Sequence, residues 1–75
     1  MSEAGQSAAL AVVVNGEELS VRSGDTVADL LRSLGLENGR VAVERNLKIL
    51  PRGEWATTNV AAGDRYEIVQ FVGGG

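Results

Sequence analysis

The chain has 75 residues, ten of them acidic and seven basic, with no histidine and no cysteine, and its formal charge is −3. A chain this short forms one small domain, and the missing residue types exclude disulfides, histidine- or thiolate-bound metals, and cysteine or histidine nucleophiles. The acidic balance argues against a nucleic-acid binder, whose footprint is basic. We therefore expect no metal, no cofactor and no nucleic-acid partner.

The N-terminal segment 1–8 is small and polar, and we predict that it is a flexible terminus without a function. It lacks the basic start and the long apolar stretch of a secretory signal. The longest apolar run, 8–14, is far shorter than the ~20 residues of a membrane helix. We therefore expect a cytoplasmic protein that does not enter a membrane.

An antiparallel hairpin is predicted at the start of the domain. Segments 10–14 and 19–22 flank Asn15-Gly16, and both residues of this pair tolerate the positive φ of a two-residue turn. The turn fixes a register in which Val14 lies opposite Glu17. That register places five apolar side chains on one face: Leu10, Val12, Val14, Leu19 and Val21.

One amphipathic helix follows the hairpin. Its apolar stripe consists of Val27, Leu30, Leu31 and Leu34. Thr26 is the predicted N-cap, Asp29 is the capping-box acid, and Gly35 adopts the left-handed conformation after the last turn, with Leu36 folding back on it. The helix is too short to be stable alone, so it must pack across the sheet.

The second half of the chain is rich in strands. Segments 41–43 and 47–50 are predicted strands separated by Arg45-Asn46, and Pro51 ends the second because it has no N–H to donate. Segment 52–59 lacks a clear period and is predicted to form a turn or a short helical piece. After the turn at Gly63-Asp64, segment 66–72 is the most β-prone run of the chain.

The predicted order is β-β-α-β-β-β. An initial hairpin, one crossover helix and later strands predict an α+β protein whose domain, 9–72, is a mixed sheet of four to five strands crossed by one helix. This is the β-grasp, or ubiquitin-like, fold. A small all-β barrel with an appended helix is the less favoured alternative.

Gly73, Gly74 and Gly75 form a flexible tail that packing does not explain. On its own such a tail is also typical of a floppy end, but residues without side chains can thread a narrow enzyme channel. The terminal carboxylate, with a pKa of ~3.5, is ionised at neutral pH and must be activated before it reacts. The chain has no phosphate-binding G-x-x-x-x-G-K-[ST] loop, so a partner must activate it. We therefore expect a carrier or substrate, and not an enzyme.

Several stretches over about residues 10–75 resemble the ThiS family of sulfur carrier proteins. They are 14–16, 24–31, 46–55, 63–69 and the ending 71–75. Their order and spacing are more specific than any one of them, above all Pro51-Arg52 with Trp55 three residues further on.

The resemblance implies a reaction at Gly75. An E1-like ATP-dependent enzyme (ThiF) would adenylate this carboxylate, and sulfur from the persulfide of a cysteine desulfurase would displace AMP and leave a thiocarboxylate. Thiazole synthase (ThiG) would then take the sulfur for the thiazole of thiamin. Gly74 would be the slender approach residue, while the role of Gly73 stays open because the family commonly ends in two glycines.

Partner docking is predicted where the last strand meets the tail. Phe71 and Val72 alternate, so one of them faces the core and the exposed one is the candidate for docking to the activating enzyme. Trp55 is more readily a lid over one end of the core than an exposed anchor. Tyr66, Ile68 and Val69 are interpreted as core or sheet residues.

The charged side chains are interpreted mainly as a solvated surface. The acids in this group are Glu17, Glu18, Glu37, Asp64 and Glu67. Arg45, Lys48 and Arg52 lie close in sequence and either steer an acidic partner or keep the protein soluble.

Three alternative functions stay open at this point. The small subunit of molybdopterin synthase uses the same tail chemistry toward another acceptor, but the pattern of Pro51-Arg52 and Trp55 fits the thiazole branch better. A ubiquitin-like protein modifier would be joined through Gly75 to lysines of other proteins. A pure interaction domain would carry its glycines incidentally.

Overall fold

The computed structural model describes residues 8–71. Its elements in chain order are β1 (Ala9–Val14), β2 (Glu17–Arg22), α1 (Val27–Ser33), β3 (Val41–Arg45), β4 (Lys48–Ile49), a 3₁₀ helix (Arg52–Thr57) and β5 (Arg65–Gln70). The predicted order of strands and helix is confirmed. The predicted flexible terminus, apart from Ala8, and the predicted tail lie outside the described residues.

The strands form one mixed sheet of order β2-β1-β5-β3-β4. The central strand, β5, runs parallel to its neighbour β1, and the other neighbours are antiparallel. Its outer strands lie at opposite edges, so the sheet is open and the barrel alternative is wrong. This arrangement of five strands and one helix is the predicted β-grasp fold.

The first hairpin has the predicted register. Val14 pairs with Glu17 and Leu10 pairs with Val21 across β1 and β2. Asn15 and Gly16 both have positive φ, at 50° and 84°, as a two-residue turn of this kind requires. The turn chemistry and the alternation of apolar residues therefore specify the same pairing.

Helix α1 is capped at its N-terminus as predicted. The Asp29 N–H donates to Thr26 Oγ1 at 3.2 Å, and the Thr26 N–H donates to Asp29 Oδ2 at 2.9 Å. Gly35 has a φ of 76°, and the Leu36 N–H donates to the Leu31 carbonyl at 2.8 Å. No helix between residues 8 and 71 is long and apolar enough to cross a membrane.

The core lies between one face of the sheet and the helical segments. Its buried members are Val12, Val14, Val21, Val27, Leu30, Leu31, Val41, Val43, Trp55, Val60, Tyr66 and Ile68. Trp55 is only 5% exposed, and its indole N–H donates to the Leu50 carbonyl at 3.1 Å. The prediction that Trp55 closes the core is therefore confirmed.

The turn between β3 and β4 is shifted from its predicted place. Arg45 belongs to β3, and the turn is made by Asn46 and Leu47, whose φ values are 51° and 73°. The predicted strand 47–50 is confirmed but is shorter than predicted, because β4 covers only Lys48–Ile49. Asn46 is of a type that favours positive φ, but a leucine with positive φ is uncommon, so residue type gave no indication that Leu47 belongs to the turn.

Asn15 connects the first hairpin to the last strand. Its side chain accepts from the Ile68 N–H at 2.7 Å and donates to the Ile68 carbonyl at 3.1 Å. Its own N–H donates to the Tyr66 carbonyl at 2.8 Å. The asparagine side chain thus extends the pairing of β1 and β5 beyond the end of β1.

Replacing Asn15 by glycine is expected to destabilise the fold by about 1–3 kcal/mol. Glycine keeps the positive φ but removes both side-chain hydrogen bonds, leaving the Ile68 backbone groups without these partners. Urea denaturation measures the free energy of unfolding.

Asn15→Asp is the matched variant, because it keeps the acceptor and loses the donor. It should lie between the wild type and Asn15→Gly. Equal stability of Asn15→Gly and the wild type would show that the side chain does not hold β5.

Candidate functional site

The last strand leads the chain out from the middle of the sheet. Strand β5 lies between β1 and β3, and the Phe71 N–H donates to the Arg40 carbonyl at 2.8 Å, which prolongs the ladder by one pair. Phe71 is 57% exposed, so it does not face the core. The other predicted site residues, Val72, Gly73, Gly74 and Gly75, lie outside the described residues.

The face of the sheet that points away from α1 carries apolar side chains that are exposed or, at Ala42, half-buried. We call them the outer patch: Ala42, Leu47, Ile49, Val69 and Phe71. Ile49 and Val69 are 66% and 56% exposed, and Leu47 is 91% exposed. Ala42 pairs directly with Val69, and strand alternation places Phe71 on the same face as Val69. The outer patch therefore runs along β5 toward the tail.

Two carboxylates lie within the outer patch. Glu44 on β3 pairs in register with Glu67 on β5 and with Ile49 on β4. Together with the patch residues other than Phe71, the two glutamates line a groove of about 410 Å³. Exposed apolar patches mark protein-interaction sites, and charged groups in such a patch select a partner of opposite charge.

Asp64 is not a solvated surface residue, and that prediction was wrong. It is 5% exposed and accepts hydrogen bonds from Tyr66 Oη at 2.7 Å, Arg45 Nε at 3.0 Å and Asn46 Nδ2 at 3.1 Å, and from the Ala61 N–H at 2.9 Å. Four donors satisfy the buried carboxylate. The network fixes the turn between β3 and β4 against the start of β5.

The network changes the pKa values of its acids. Burial opposes ionisation of Asp64, but the hydrogen bonds, first that from Ala61, outweigh it and lower the pKa of the carboxyl. Asp64 therefore stabilises the fold above the pKa of an unfolded aspartate, and this contribution is lost as the pH falls through the folded pKa. Burial, and then the hydrogen bond to Asp64, raises the pKa of Tyr66 to about 12.

Two of the three cations close in sequence serve the fold. Arg45 binds Asp64, as described above. Arg52 donates to the carbonyls of Glu37 and Gly39, and its guanidinium lies 4.5 Å from the centre of the Trp55 ring. These contacts favour a structural role over the steering of an acidic partner.

The described residues contain no group of three or more His, Cys, Asp or Glu side chains that could hold a metal ion. In this range the groove lined by Glu44 and Glu67 is the candidate binding surface.

The sequence predictions do not include most of the outer patch. They place Val69 among the core or sheet residues, and Leu47 and Ile49 in a strand without a role. One signal was available: in β5, residues that alternate with buried Tyr66 and Ile68 should be polar, yet Val69 is apolar. The shift of the β3–β4 turn hid Leu47.

Comparison with known proteins identifies the family. The family model described as "ThiS family" matches residues 5–75. The sulfur carrier protein ThiS of Bacillus subtilis (strain 168) is 40% identical over 63 residues, which is 83% of this chain and 96% of that protein. The chain belongs to the ThiS family.

A solved structure agrees with this assignment. The crystal structure of the thiamine biosynthesis protein ThiS from Geobacter metallireducens superimposes with a TM-score of 0.71 at 34% identity. The match covers 88% of this chain and 100% of that one. The β-grasp fold of this ThiS-family chain is therefore that of a solved ThiS protein.

Some relatives are much longer. A thiazole synthase of Paramagnetospirillum magneticum (strain ATCC 700264 / AMB-1) is 48% identical over 64 residues, which is 85% of this chain but 20% of that protein. This ThiS-family chain therefore spans about a fifth of the length of that relative. A segment like it forms part of a polypeptide named thiazole synthase.

The alkaline titration of Tyr66 should report the buried network. Tyr66 is the only tyrosine of the chain, so tyrosinate absorbance follows this one residue. We expect a midpoint at about 12, compared with 10.0 for an ordinary tyrosine. Because the folded state keeps the proton longer than the unfolded state, stability should fall as the pH rises through this interval.

The control for this titration is Asp64→Asn. It removes the anionic acceptor and leaves Arg45 near the phenol, so the midpoint should move toward the ordinary value. Near-ultraviolet circular dichroism of Trp55, read in parallel, shows whether the protein is still folded. A wild-type midpoint near the ordinary value, with the fold intact, would contradict the network.

Proposed function

We propose that this chain is a sulfur carrier protein for thiamin thiazole biosynthesis. The Gly75 carboxylate is adenylated by an E1-like enzyme, and the terminal sulfur of a cysteine-desulfurase persulfide displaces AMP to give an acyl persulfide. A thiol reductant then cleaves the S–S bond, and the resulting thiocarboxylate gives its sulfur to thiazole synthase. The chain is the substrate of these steps and not their catalyst. The proposal includes a cytoplasmic location.

The match with the ThiS family carries this proposal. It extends to residue 75, so it includes the terminal glycine on which the chemistry would act. The Bacillus relative, which is named a sulfur carrier protein, is matched over nearly its whole length. The family and the position of the match thus support the same reacting group.

The chemistry of the chain requires a partner for activation. The sequence has no cysteine and no histidine, so it lacks a thiol nucleophile and an imidazole base for acyl transfer. An ionised carboxylate is a poor electrophile until it is converted to a mixed anhydride such as an acyl adenylate. Adenylation by ATP on a partner enzyme supplies that activation.

The long relatives support thiazole synthase as the acceptor. In Paramagnetospirillum magneticum a segment 48% identical to this chain belongs to a protein named thiazole synthase. A carrier and its acceptor that occur within one polypeptide act in the same process. We therefore assign the thiazole branch rather than the molybdopterin branch.

The tail residues have separate roles in this proposal. Gly75 is the acceptor of AMP and then of sulfur, while Gly73 and Gly74 thread the active site of the partner. Phe71, exposed at the end of the sheet, is a docking residue for the adenylating enzyme, and Val72 is the second candidate.

Altering the tail should abolish sulfur loading without weakening the fold. The full chain is incubated with an E1-like enzyme, ATP, cysteine and a cysteine desulfurase, and its intact mass is measured. The wild type should exchange one terminal oxygen for sulfur, while deletion of Gly74 and Gly75 should prevent this. The free energy of unfolding, measured by thermal denaturation, should change by no more than about 0.5 kcal/mol, as for a neutral surface change.

Gly74→Val tests the need for a slender tail, and Gly53→Val is its matched control. A Cβ at Gly53 meets no atom within 4 Å, so a side chain is tolerated there. Gly74→Val should slow adenylation strongly, whereas Gly53→Val should load normally. Isopeptide adducts on other proteins would instead indicate a modifier, and sulfur transfer only to a molybdopterin precursor would indicate the other branch. No product at all would contradict the carrier function.

A further inference from the structure

The two β-hairpins of this chain use different residues at equivalent turn positions. The first turn is Asn15-Gly16, with φ values of 50° and 84°, and the second is Asn46-Leu47, with φ values of 51° and 73°. Glycine adopts such a conformation without strain, but a leucine does not, because its Cβ crowds the backbone. The second turn therefore carries a strained residue where the first has the unstrained one.

Contacts of Leu47 within the described residues do not compensate for the strain of its backbone conformation. Its side chain is 91% exposed and lies outside the core cluster. The turn is held by Asn46, whose N–H donates to the Arg65 carbonyl at 2.8 Å and whose Oδ1 accepts from the Arg65 N–H at 2.9 Å. The neighbours thus impose the left-handed backbone, and the leucine side chain is presented to solvent.

Leu47 borders the groove in the outer patch that was described above. Ile49 and Val69 supply further apolar surface to that groove, and Glu44 and Glu67 stand opposite each other in it. Like charges directly across a pair of strands destabilise a sheet. Within residues 8–71 neither glutamate forms an ion pair. Both the strain and the charge pair are unfavourable in the free chain.

One kind of partner surface would compensate for both the strain at Leu47 and the repulsion between the two glutamates. A partner that buries Leu47 against apolar side chains and places an arginine or lysine between Glu44 and Glu67 gains from each feature. A second copy of the chain, meeting this face with its own glutamates, would bring together four carboxylates. Charge complementarity therefore favours a basic partner over a homodimer.

We propose that Leu47, with Glu44 and Glu67, is the docking site of this chain for thiazole synthase, and that the enzyme surface bears a basic residue ringed by apolar ones. The proposal rests on the proposed function. Its partner follows from the relative in which a similar segment and a thiazole synthase share one polypeptide. The outer patch also continues along β5 to Phe71, so docking there directs the tail toward the enzyme.

The substitution Leu47→Gly separates docking from folding. Glycine suits the turn, so the melting temperature should rise by about 4 °C or more in a domain of this size. The Kd for thiazole synthase should nevertheless increase at least about tenfold, as expected when an anchor side chain is lost. Leu34→Ala, at the exposed end of α1, is the control and should leave the Kd unchanged.

A second test changes the charges of the proposed docking site. Glu44→Gln and Glu67→Gln should each weaken binding to thiazole synthase and reduce its dependence on salt, while Glu18→Gln on β2 should do neither. Binding is measured with purified thiazole synthase and the full chain by isothermal titration calorimetry. Wild-type sulfur loading, measured separately, shows whether the proposed function holds.

Some experimental outcomes would overturn the proposal of this docking site. If wild-type chain loads sulfur and binds thiazole synthase but Leu47→Gly binds equally well, the docking proposal is wrong and the carrier function stands. Weaker binding only to the adenylating enzyme, or a change only in self-association, would likewise overturn it. If the wild type neither loads sulfur nor binds, the proposed function fails first.

Discussion

The parallel pairing of β1 with β5 is the constraint on which the rest of the structure depends. It joins the N-terminal hairpin to the C-terminal strand, so the two ends of the domain meet in the middle of one sheet. Asn15 secures one end of this pairing, and the Val13 N–H, bonded to the Asp64 carbonyl at 2.9 Å, secures the other. With no disulfide available, hydrogen bonds and packing alone hold the last strand in place.

With the last strand held in this way, the two faces of the sheet have different roles. The inner face packs against α1 and the 3₁₀ helix and supplies the stability. The outer face keeps Leu47, Ile49 and Val69 exposed along the path that leads to the tail. A carrier needs both: a rigid strand from which the tail departs, and a surface by which partners recognise it. Buried Asp64 connects the inner face with the outer face, because it holds the turn that exposes Leu47.

The sequence allowed the fold to be predicted nearly in full, since its local signals agree with one another. The Asn15-Gly16 turn, the capping box at Thr26 and Asp29, and the apolar stripe of α1 each have one structural meaning. The wrong predictions concern residues whose environment is set by a contact with a residue distant in sequence. Asp64 resembles a surface acid until Arg45, nineteen residues away, is brought beside it. Leu47 resembles a strand residue because its turn is imposed by Asn46 and β5. Predicting the outer patch requires the order of the strands in the sheet, and the alternation of apolar and polar residues alone does not give that order.

We propose that the terminal carboxylate of Gly75 reacts through an acyl adenylate. Labelling this carboxylate with oxygen-18 tests it most directly. When the adenylate forms and sulfur displaces AMP, one labelled oxygen must leave the protein bound to the phosphorus of AMP. We predict labelled AMP and a protein whose terminus carries sulfur. Unlabelled AMP, with both labelled oxygens retained on the chain, would contradict the account.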